Sequence, residues 1–419
     1  MPHVVIIGAG FAGLNAAKVL SRAGNVSITL IDRNNHHVFQ PLLYQVAMAE
    51  LSPADIAEPI RAMFRRRPNV RVLQGEVLHI DRARQTVQAS FGSLSYDYLI
   101  LATGAQHHYF GHEEWEPLAP GLKTLGQATE IRRRVLAAFE AAECSGDPEE
   151  QTRLLRFVIV GGGPTGVELA GAIGEIGRFT LKHNFRSIDP AQARIILVEA
   201  GPRILPTFPD ALAARAVRDL DKLGVTVRCG GAVTAITGQG VRVGEDWLAA
   251  GTVIWAAGVR PSSLGGQLGV PLDRQGRVIV TPDLSIPGDP RVFVAGDLAH
   301  CLHNGQPLPG VAGVALQQGR FLGRLLRREL TGRPRKPFRF LDKGQMATIG
   351  HNKALAAIGR PRFAGYPAWV IWAFLHIYYL ASFHNRVFVF LQWAWLYFTR
   401  RRGARLILGG DWRFYQKAE

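Results

Sequence analysis

The chain has 419 residues, 47% of them hydrophobic, enough for two or three domains around a sizeable core. Its three cysteines, Cys144, Cys229 and Cys301, are too few and too scattered for a disulfide framework; no C-x-x-C pair occurs, so neither dithiol nor metal chemistry is expected. A net charge of +16, from 49 basic and 33 acidic residues, suits a polyanionic surface, either nucleic acid or anionic lipid.

No charged region followed by an apolar stretch opens the chain, so no signal peptide is expected and the catalytic body is placed in the cytoplasm. The apolar run at residues 3–7 predicts a buried parallel strand. Gly8, Gly10 and Gly13 follow as G-x-G-x-x-G, then a helical pattern through Leu20, then a second strand at 26–31 ending in Asp32. Strand, tight turn, helix, strand and acidic end form the dinucleotide fingerprint. Gly8 permits the turn, Gly10 lets the backbone approach a pyrophosphate, and Gly13 lets helix and strand pack closely. The phosphates meet the free N–H groups and positive end of the helix, and Asp32 can accept from a ribose hydroxyl. The plainer alternative is a glycine-rich turn with no ligand.

Pro41 and its polar surroundings predict a loop, and 42–49 a helix. Ser52 reads as the cap of a further helix with Pro53 at its first position and Asp55 and Glu58 in its early turns. Arg65, Arg66 and Arg67 read as a solvated helix end. Alternating strands follow in VRVLQGEVLHID and QTVQASFGSLSYDYLILATGA. Such a run of strands after a β-α-β start is typical of an FAD domain rather than a plain NAD domain. A buried strand at 98–102 ends in Thr103-Gly104, a second close approach of backbone to ligand. Residues 105–130 read as a connection broken by Pro117 and Pro120, and a helix is predicted over 127–142.

RFVIVGGGPTGVELAGAIGEIG then repeats the opening device: a strand at 157–160, Gly161, Gly163 and Gly166, a helix, and a strand at 194–198 ending in Glu199. An insertion near 179–193 lengthens the gap from glycines to acid. A carboxylate at Glu199 repels a 2′-phosphate and so favours NAD over NADP, although Arg203 follows closely. Two fingerprints about 150 residues apart in one chain are most simply explained by one ligand passing a hydride to the other. TVIWAAGVRPS is a strand ending at Gly258, and VFVAGDLAH a strand ending at Gly296-Asp297, where the acid can bind the ribityl or pyrophosphate part of a flavin.

From Lys343 to Gly410 there is no Asp or Glu, yet the stretch holds four of the eight tryptophans, with Trp412 just beyond. Basic charge mixed with aromatic residues on apolar runs points to a membrane surface, and no helix-turn-helix, zinc or RNA-binding signature supports nucleic acid. Residues 367–383 are apolar but for His376 and Ser382; His384, Asn385 and Arg386 interrupt; 387–398 are apolar but for Gln392; Arg400, Arg401, Arg402 and Arg405 follow. A spanning helix needs ~20 apolar residues. Two amphipathic helices lying in one leaflet are therefore expected, with the arginines on lipid phosphates. A single transmembrane span near 367–383 and a soluble dimer interface are the alternatives. His376 reads as an interfacial polar residue.

Together these residues resemble the two-dinucleotide-binding-domain flavoproteins over about residues 1–330. Within that group the chain resembles type II NADH:quinone oxidoreductase, the non-pumping respiratory NADH dehydrogenase. NHHVFQPLLYQVA, GGGPTGVELAG, DKGQMATIG and the aromatic C-terminal part carry the likeness. The resemblance implies an α/β fold of two Rossmann-like domains, for FAD and NADH, plus a C-terminal amphipathic helical anchor. The expected division is 1–113 and 263–335 for FAD, 114–262 for NADH and 336–419 for membrane association. Gly8, Gly10, Gly13, Asp32, Gly104 and Asp297 would hold FAD, and Gly161, Gly163, Gly166 and Glu199 would hold NADH. Ala9, Phe11, Ala12, Val77, Thr103, Gly258, Gly296 and Ala315 complete the expected cofactor-binding set.

Glu168 matches the family's glutamate near flavin and nicotinamide, although an acid in the first turn of a helix also complements the dipole. The family's quinone-side motif A-Q-x-A-x-Q reads here Ala312-Gly313-Val314-Ala315-Leu316-Gln317: the second glutamine is present as Gln317 and the first is replaced by Gly313. Glu168 and Gln317 are the expected catalytic residues. The disulfide reductases need two cysteines after the first acidic residue, and residues 33–51 contain none. Sulfide:quinone reductases also use paired cysteines. The expected activity is hydride transfer from NADH to FAD and then two electrons to a membrane quinone, without proton pumping, on the cytoplasmic face of the cell membrane. The expected partners are NADH, a membrane quinone and, through residues 361–405, a lipid surface, with a homodimer also considered. The alternatives are a flavoprotein with another acceptor, an NADH sensor that binds partners, and a nucleic-acid-binding oxidoreductase motivated by charge.

Overall fold

A computed structural model describes residues 1–399 and 402–408. It divides into two compact units, one of residues 1–38, 57–106 and 259–342, the other of residues 39–56, 107–258 and the described residues from 343 onward. The apolar–aromatic C-terminal stretch groups with the second fingerprint instead of forming a region of its own, as does the 39–56 segment.

In the first unit five parallel strands lie in the order Asp289–Val294, Tyr98–Leu101, His3–Ile7, Ser27–Asp32, Val70–Gln74. The central strand is a continuous apolar run because both of its faces are covered. Val4 and Ile6 join the cluster that holds helices Phe11–Leu20 and Ala312–Glu329. Val5 and Ile7 join the cluster on the other side, with Ile80 and Val87 of the meander Val77–Asp81, Thr86–Ala89, Gly92–Ser95. The two helices touch through a stripe of small residues, Ala315, Gly319 and Gly323. A Cβ on Gly319 would lie 2.8 Å from the Ala12 carbonyl carbon, and one on Gly323 2.8 Å from the Ala16 carbonyl oxygen. That contact fixes the fingerprint helix against the sheet.

The second unit repeats the plan. Parallel strands run in the order Val225–Cys229, Arg194–Glu199, Arg156–Val160, Thr252–Trp255, with a meander of Val233–Thr237, Gly240–Val243 and Asp246–Ala249. It adds helix Leu125–Cys144, the sheet Gln345–Gly350, Lys353–Ala357, Arg362–Gly365, and helices Tyr366–Tyr379 and Phe383–Thr399. The insertion near 179–193 carries a wide helical turn, Ile176–Thr180, and a 3-10 turn, Pro190–Gln192.

Two sequence expectations need correction: the helix opened by Ser52 and the place of Arg402. Ser52 does form a capping box with Asp55, but it opens only the 3-10 turn Pro53–Asp55, because Ala57–Pro59 is drawn into strand pairing with His36–Val38. The polar residues His384, Asn385 and Arg386, which interrupt the apolar run, lie inside helix Phe383–Thr399, and the two C-terminal helices meet just before it, where Ser382 Oγ accepts the Asn385 N–H at 3.2 Å. The alternative of a single span near 367–383 finds no helix of the needed length. Among the described residues no helix is long and apolar enough to cross a membrane, and the 14 residues of Tyr366–Tyr379 reach ~21 Å against the ~30 Å of a hydrocarbon core. Arg402, expected on lipid phosphates, is 4% exposed and turned into the protein. Arg400, Arg401 and Trp412 lie outside the described residues.

Candidate active site

The first cradle is built where parallel strands end. Gly8 turns the chain at φ +96°, and a Cβ there would lie 2.8 Å from the Ala102 carbonyl carbon. Nothing lies within 4 Å of a Cβ on Gly10 or Gly104, so the backbone is open to a ligand at both. Asp32 accepts the Ala9 N–H on one carboxylate oxygen and the Asn34 N–H on the other, each at 2.7 Å. That fixes the carboxylate beside the turn, with lone pairs left for ribose hydroxyls. The neighbouring strands contribute Thr103, whose buried Oγ1 has no partner among the described residues, and Gly296, at φ +78°. Ala12 and Ala315 stand 3.6 Å from the place a Gly296 Cβ would take. Phe11 packs edge-on against His37, whose ring bonds the Ala9 carbonyl at 2.9 Å. Open glycine backbone, an anchored acid and an orphaned hydroxyl fit a flavin dinucleotide. Val77 lies in the apolar cluster with Ile7 and Ile31.

The second cradle copies the first. Gly161 turns at φ +113° against the Ala256 carbonyl, Gly163 is open, and a Cβ on Gly166 would run into the Gly161 carbonyl. Glu199 accepts the Gly162 N–H and the Gly201 N–H, each at 2.7 Å. Gly258 turns at φ +67° beneath Phe110. Arg203, the residue that could have favoured a 2′-phosphate, donates to the carbonyls of Leu205, Pro206 and Phe208 instead. Glu199→Gln is expected to weaken NADH binding about 10- to 100-fold, the ~1.5–3 kcal/mol of a charged hydrogen bond, while narrowing the preference over NADPH. Flavin bleaching at graded NADH and NADPH measures both.

Within the second unit, Glu168 lies on helix Pro164–Glu175 and lines a cavity. It falls in the second helical turn, outside the reach of the dipole, so the dipole does not explain it. Protein surrounds it apart from the cavity side, and burial pushes its carboxyl up to about 8 against a weaker lowering by the Thr348 N–H at 3.4 Å. A hydrogen-bonded row continues from there. Thr348 Oγ1 meets Tyr44 Oη at 3.1 Å, Gln45 Nε2 donates to Tyr44 Oη at 3.2 Å, and Trp393 Nε1 donates to Gln45 Oε1 at 2.9 Å. Burial, with Glu168 and Glu50 nearby, drives the Tyr44 phenol well above its ordinary range, so it stays protonated. Trp369, Trp372, Trp393 and Tyr397 wall the cavity with aromatic surface. Glu50, Glu175 and Arg402 line it as well, with Arg402 Nη2 2.9 Å from Glu50 and 3.3 Å from Glu175.

The pyridine nucleotide-disulphide oxidoreductase family matches residues 2–319. The chain is 46% identical to the type II NADH:quinone oxidoreductase Ndh of Mycobacterium tuberculosis, over 96% of this chain and 89% of that protein. It is 30% identical to the type II NADH:quinone oxidoreductase of Staphylococcus haemolyticus, over 85% and 89%. The chain belongs to the type II NADH:quinone oxidoreductases. The structure of NDH2 from Plasmodium falciparum in complex with NADH has the same fold, at a TM-score of 0.88 and 20% identity, over 97% of this chain and all of that one. This chain is thus an enzyme whose cofactors are FAD and NADH and whose acceptor is a quinone.

In this oxidoreductase the residues expected to hold FAD fall within one unit and those expected to hold NADH within the other, and Glu168 and Gln317 belong to different units. Gln317 engages the main chain of Leu341 with both ends of its amide, donating at 2.9 Å and accepting at 3.0 Å. Gly313 is exposed, with nothing within 4 Å of a Cβ. The residue that sequence reasoning passed over is Gln318, 1% exposed, whose Oε1 accepts the Gly296 N–H at 2.7 Å and so sets the turn before Asp297. Tyr44, Gln45, Glu50, Thr348, Glu175 and Arg402 were likewise unassigned. Two of the stretches that carry the family likeness contain Tyr44, Gln45 and Thr348, the available signal for those three.

Proposed function

We propose that the enzyme holds FAD on Gly8–Gly13, Asp32, Thr103–Gly104 and Gly296–Asp297, and NADH on Gly161–Gly166, Glu199 and Gly258, and that the quinone head group enters the aromatic cavity. The carrying observation is the duplicated cradle: in each, the acid ending the second strand accepts the N–H of the residue after the first glycine. Bound in the first cradle, FAD supplies the two-electron step between NADH and quinone. The protein positions and excludes water. The aromatic walls suit a flat apolar ring, and Glu168, protonated below about pH 8, offers a hydrogen bond to a quinone oxygen. His376 is a structural partner of those walls: it stacks on Trp372 at 4.3 Å, bonds the Trp372 carbonyl, and is kept neutral by burial, its pKa lowered to about 4.

The same reading places the enzyme on the cytoplasmic face of a membrane as a monotopic protein. Tyr366, Val370, Phe374 and Tyr378 repeat every four residues on one helix, 44–68% exposed, and Val387, Leu391 and Trp395 do so on the next, 39–63% exposed. Such a stripe with no acid near it suits insertion into one leaflet. Changing Phe374, Phe390 and Trp395 together to serine is expected to lower partition onto anionic vesicles at least about 100-fold, since each large apolar side chain contributes ~1.5–3 kcal/mol on burial. Flotation measures this. A homodimer that falls apart in the variant while vesicle binding persists would assign the stripe to an oligomer interface.

The deciding experiment is anaerobic reduction of the detergent-solubilised enzyme by NADH, then addition of a short-chain quinone, watching flavin absorbance. Fast bleaching and fast recovery are expected. Bleaching without recovery would point to another acceptor and make Gly313 the suspect.

A further inference from the structure

Glu50 and Glu175 share one guanidinium. Arg402 Nη2 lies 2.9 Å from Glu50 Oε1 and 3.3 Å from Glu175 Oε2, and its Nη1 donates to the Met48 carbonyl at 2.9 Å and the Ala172 carbonyl at 3.4 Å. Their side chains are 8%, 12% and 3% exposed. Arg402 thus stands against two carboxylates in a buried, aromatic-walled site, where charge is costly to keep. Glu175 also accepts the His351 N–H from the turn after strand Gln345–Gly350. Among the described residues Glu50 has Arg402 alone as a side-chain partner. Burial of Glu50 in this site favours its protonated form.

We propose that Glu50, paired with Glu175 on Arg402, is the acid that carries the solvent proton of quinone reduction into the cavity. This rests on the reading that the quinone reacts there. The balance is NADH, quinone and one proton giving NAD and quinol. NADH supplies two electrons and one proton as hydride, and the second proton comes from water. In that step the Glu50 O–H bond breaks and a quinol O–H bond forms. Arg402 holds the carboxylate that remains, and water reprotonates it from the cavity rim, where Phe179 is 46% exposed. The cavity admits the centre of a water molecule over about 70 Å³, several times what a single water needs.

Glu168 is the poorer donor. Nothing cationic among the described residues meets it, so its anion is unsupported and it keeps its proton to about pH 8. Glu50 sits lower, at about 7: burial and Glu175 raise it while Arg402 lowers it. The titratable groups around Glu50 are Tyr44 on its own segment, Glu168 and Glu175 on helix Pro164–Glu175, Arg402 on the tail, His351 on the strand turn and Tyr397 on helix Phe383–Thr399.

The test uses the flavin-loaded enzyme in detergent, with Glu50→Gln, Glu50→Asp and Glu168→Gln. In the parent, reoxidation by a short-chain quinone should fall above about pH 7. Glu50→Gln should slow it at least about 100-fold at pH 6–7 and abolish that limb, a general-acid effect, while bleaching by NADH is unchanged. A protonated-carboxyl infrared band titrating near pH 7 should vanish in Glu50→Gln and remain in Glu168→Gln. Parental reoxidation with an unaltered pH profile, or survival of the band, overturns the proposal. Should Glu50→Gln fail to retain flavin, the solvent deuterium effect on reoxidation decides in the parent and in Glu50→Asp, and its absence overturns the proposal. A parent that bleaches with NADH but never recovers with quinone overturns the functional reading instead.

Discussion

Alanine at Gly13 is expected to give an enzyme that purifies colourless, and alanine at Gly166 one that stays yellow but responds weakly to NADH. The two substitutions insert the same methyl group at equivalent places in the two cradles. At Gly13 it would sit against the Gly8 carbonyl, whose carbon is 3.1 Å away, and 3.1 Å from Ile6 Cγ2; at Gly166 it would sit against the Gly161 carbonyl, with its carbon at 3.1 Å. Backbone cannot yield as a flexible side chain does. The helix start must shift, and with it the N–H groups meant for the pyrophosphate. Overpacking of this kind costs ~1–3 kcal/mol, so NADH affinity should fall roughly 10- to 100-fold in Gly166→Ala. The ratio of flavin to protein absorbance reads the first variant and an NADH titration reads the second. Two variants with parental colour and parental NADH response would remove the cradles from the chemistry.

Arg402→Met is expected to be the most destabilising single change on the C-terminal segment. It strands two carboxylates and the Met48 carbonyl inside the protein. Breaking a buried ion pair by removing one partner costs ~3–5 kcal/mol, which corresponds to roughly 10 °C in apparent Tm. The loss carries a pH signature. In the parent the folded-state value of Glu50, about 7, lies above its unfolded value of 4.5, so the folded protein binds the extra proton between the two. This group's contribution falls as pH rises through that window. Without Arg402 the carboxylate has no cation and the folded value climbs further. The deficit relative to the parent should therefore widen from pH 5.5 to pH 8. Thermal melts at those two values test it, and a deficit independent of pH would show that Arg402 acts through its carbonyl contacts alone.

The cradles were legible in the sequence because they are local. Gly8, Gly10, Gly13 and Asp32 fall within one strand–helix–strand unit, and backbone sterics leave few residues able to replace them. The same holds for Gly161 through Glu199, even across an insertion. The cavity was not legible because it is assembled from separate segments, each of which had a plausible local reading. Glu168 was expected from the family likeness, but its local pattern also offered a dipole-complementing acid, and only the structure shows that it stands a turn too far along its helix for that. Arg402 looked like part of a basic run facing lipid, yet its partners are 227 and more residues away in the chain, and no local pattern records a contact of that span. Ser52 and Pro53 announced a helix start correctly in chemical terms. The strand pairing of Ala57–Pro59, a tertiary demand, cut that helix to a single turn.

The segment after helix Phe383–Thr399 is stitched down from both directions. Arg402 reaches inward to Met48, Glu50 and Glu175, while Arg132, buried in helix Leu125–Cys144, reaches outward to the Ala404 carbonyl at 3.1 Å and also holds the Val46 and Leu51 carbonyls. The aromatic helices are thus threaded between two fixed points of one folded unit, and they are no detachable appendage. An engineer seeking a water-soluble version by trimming the chain before residue 400 would discard a cation that the interior of the second unit depends on. Solubility has to be sought by repainting the outer stripe, side chain by side chain, with the tail left in place.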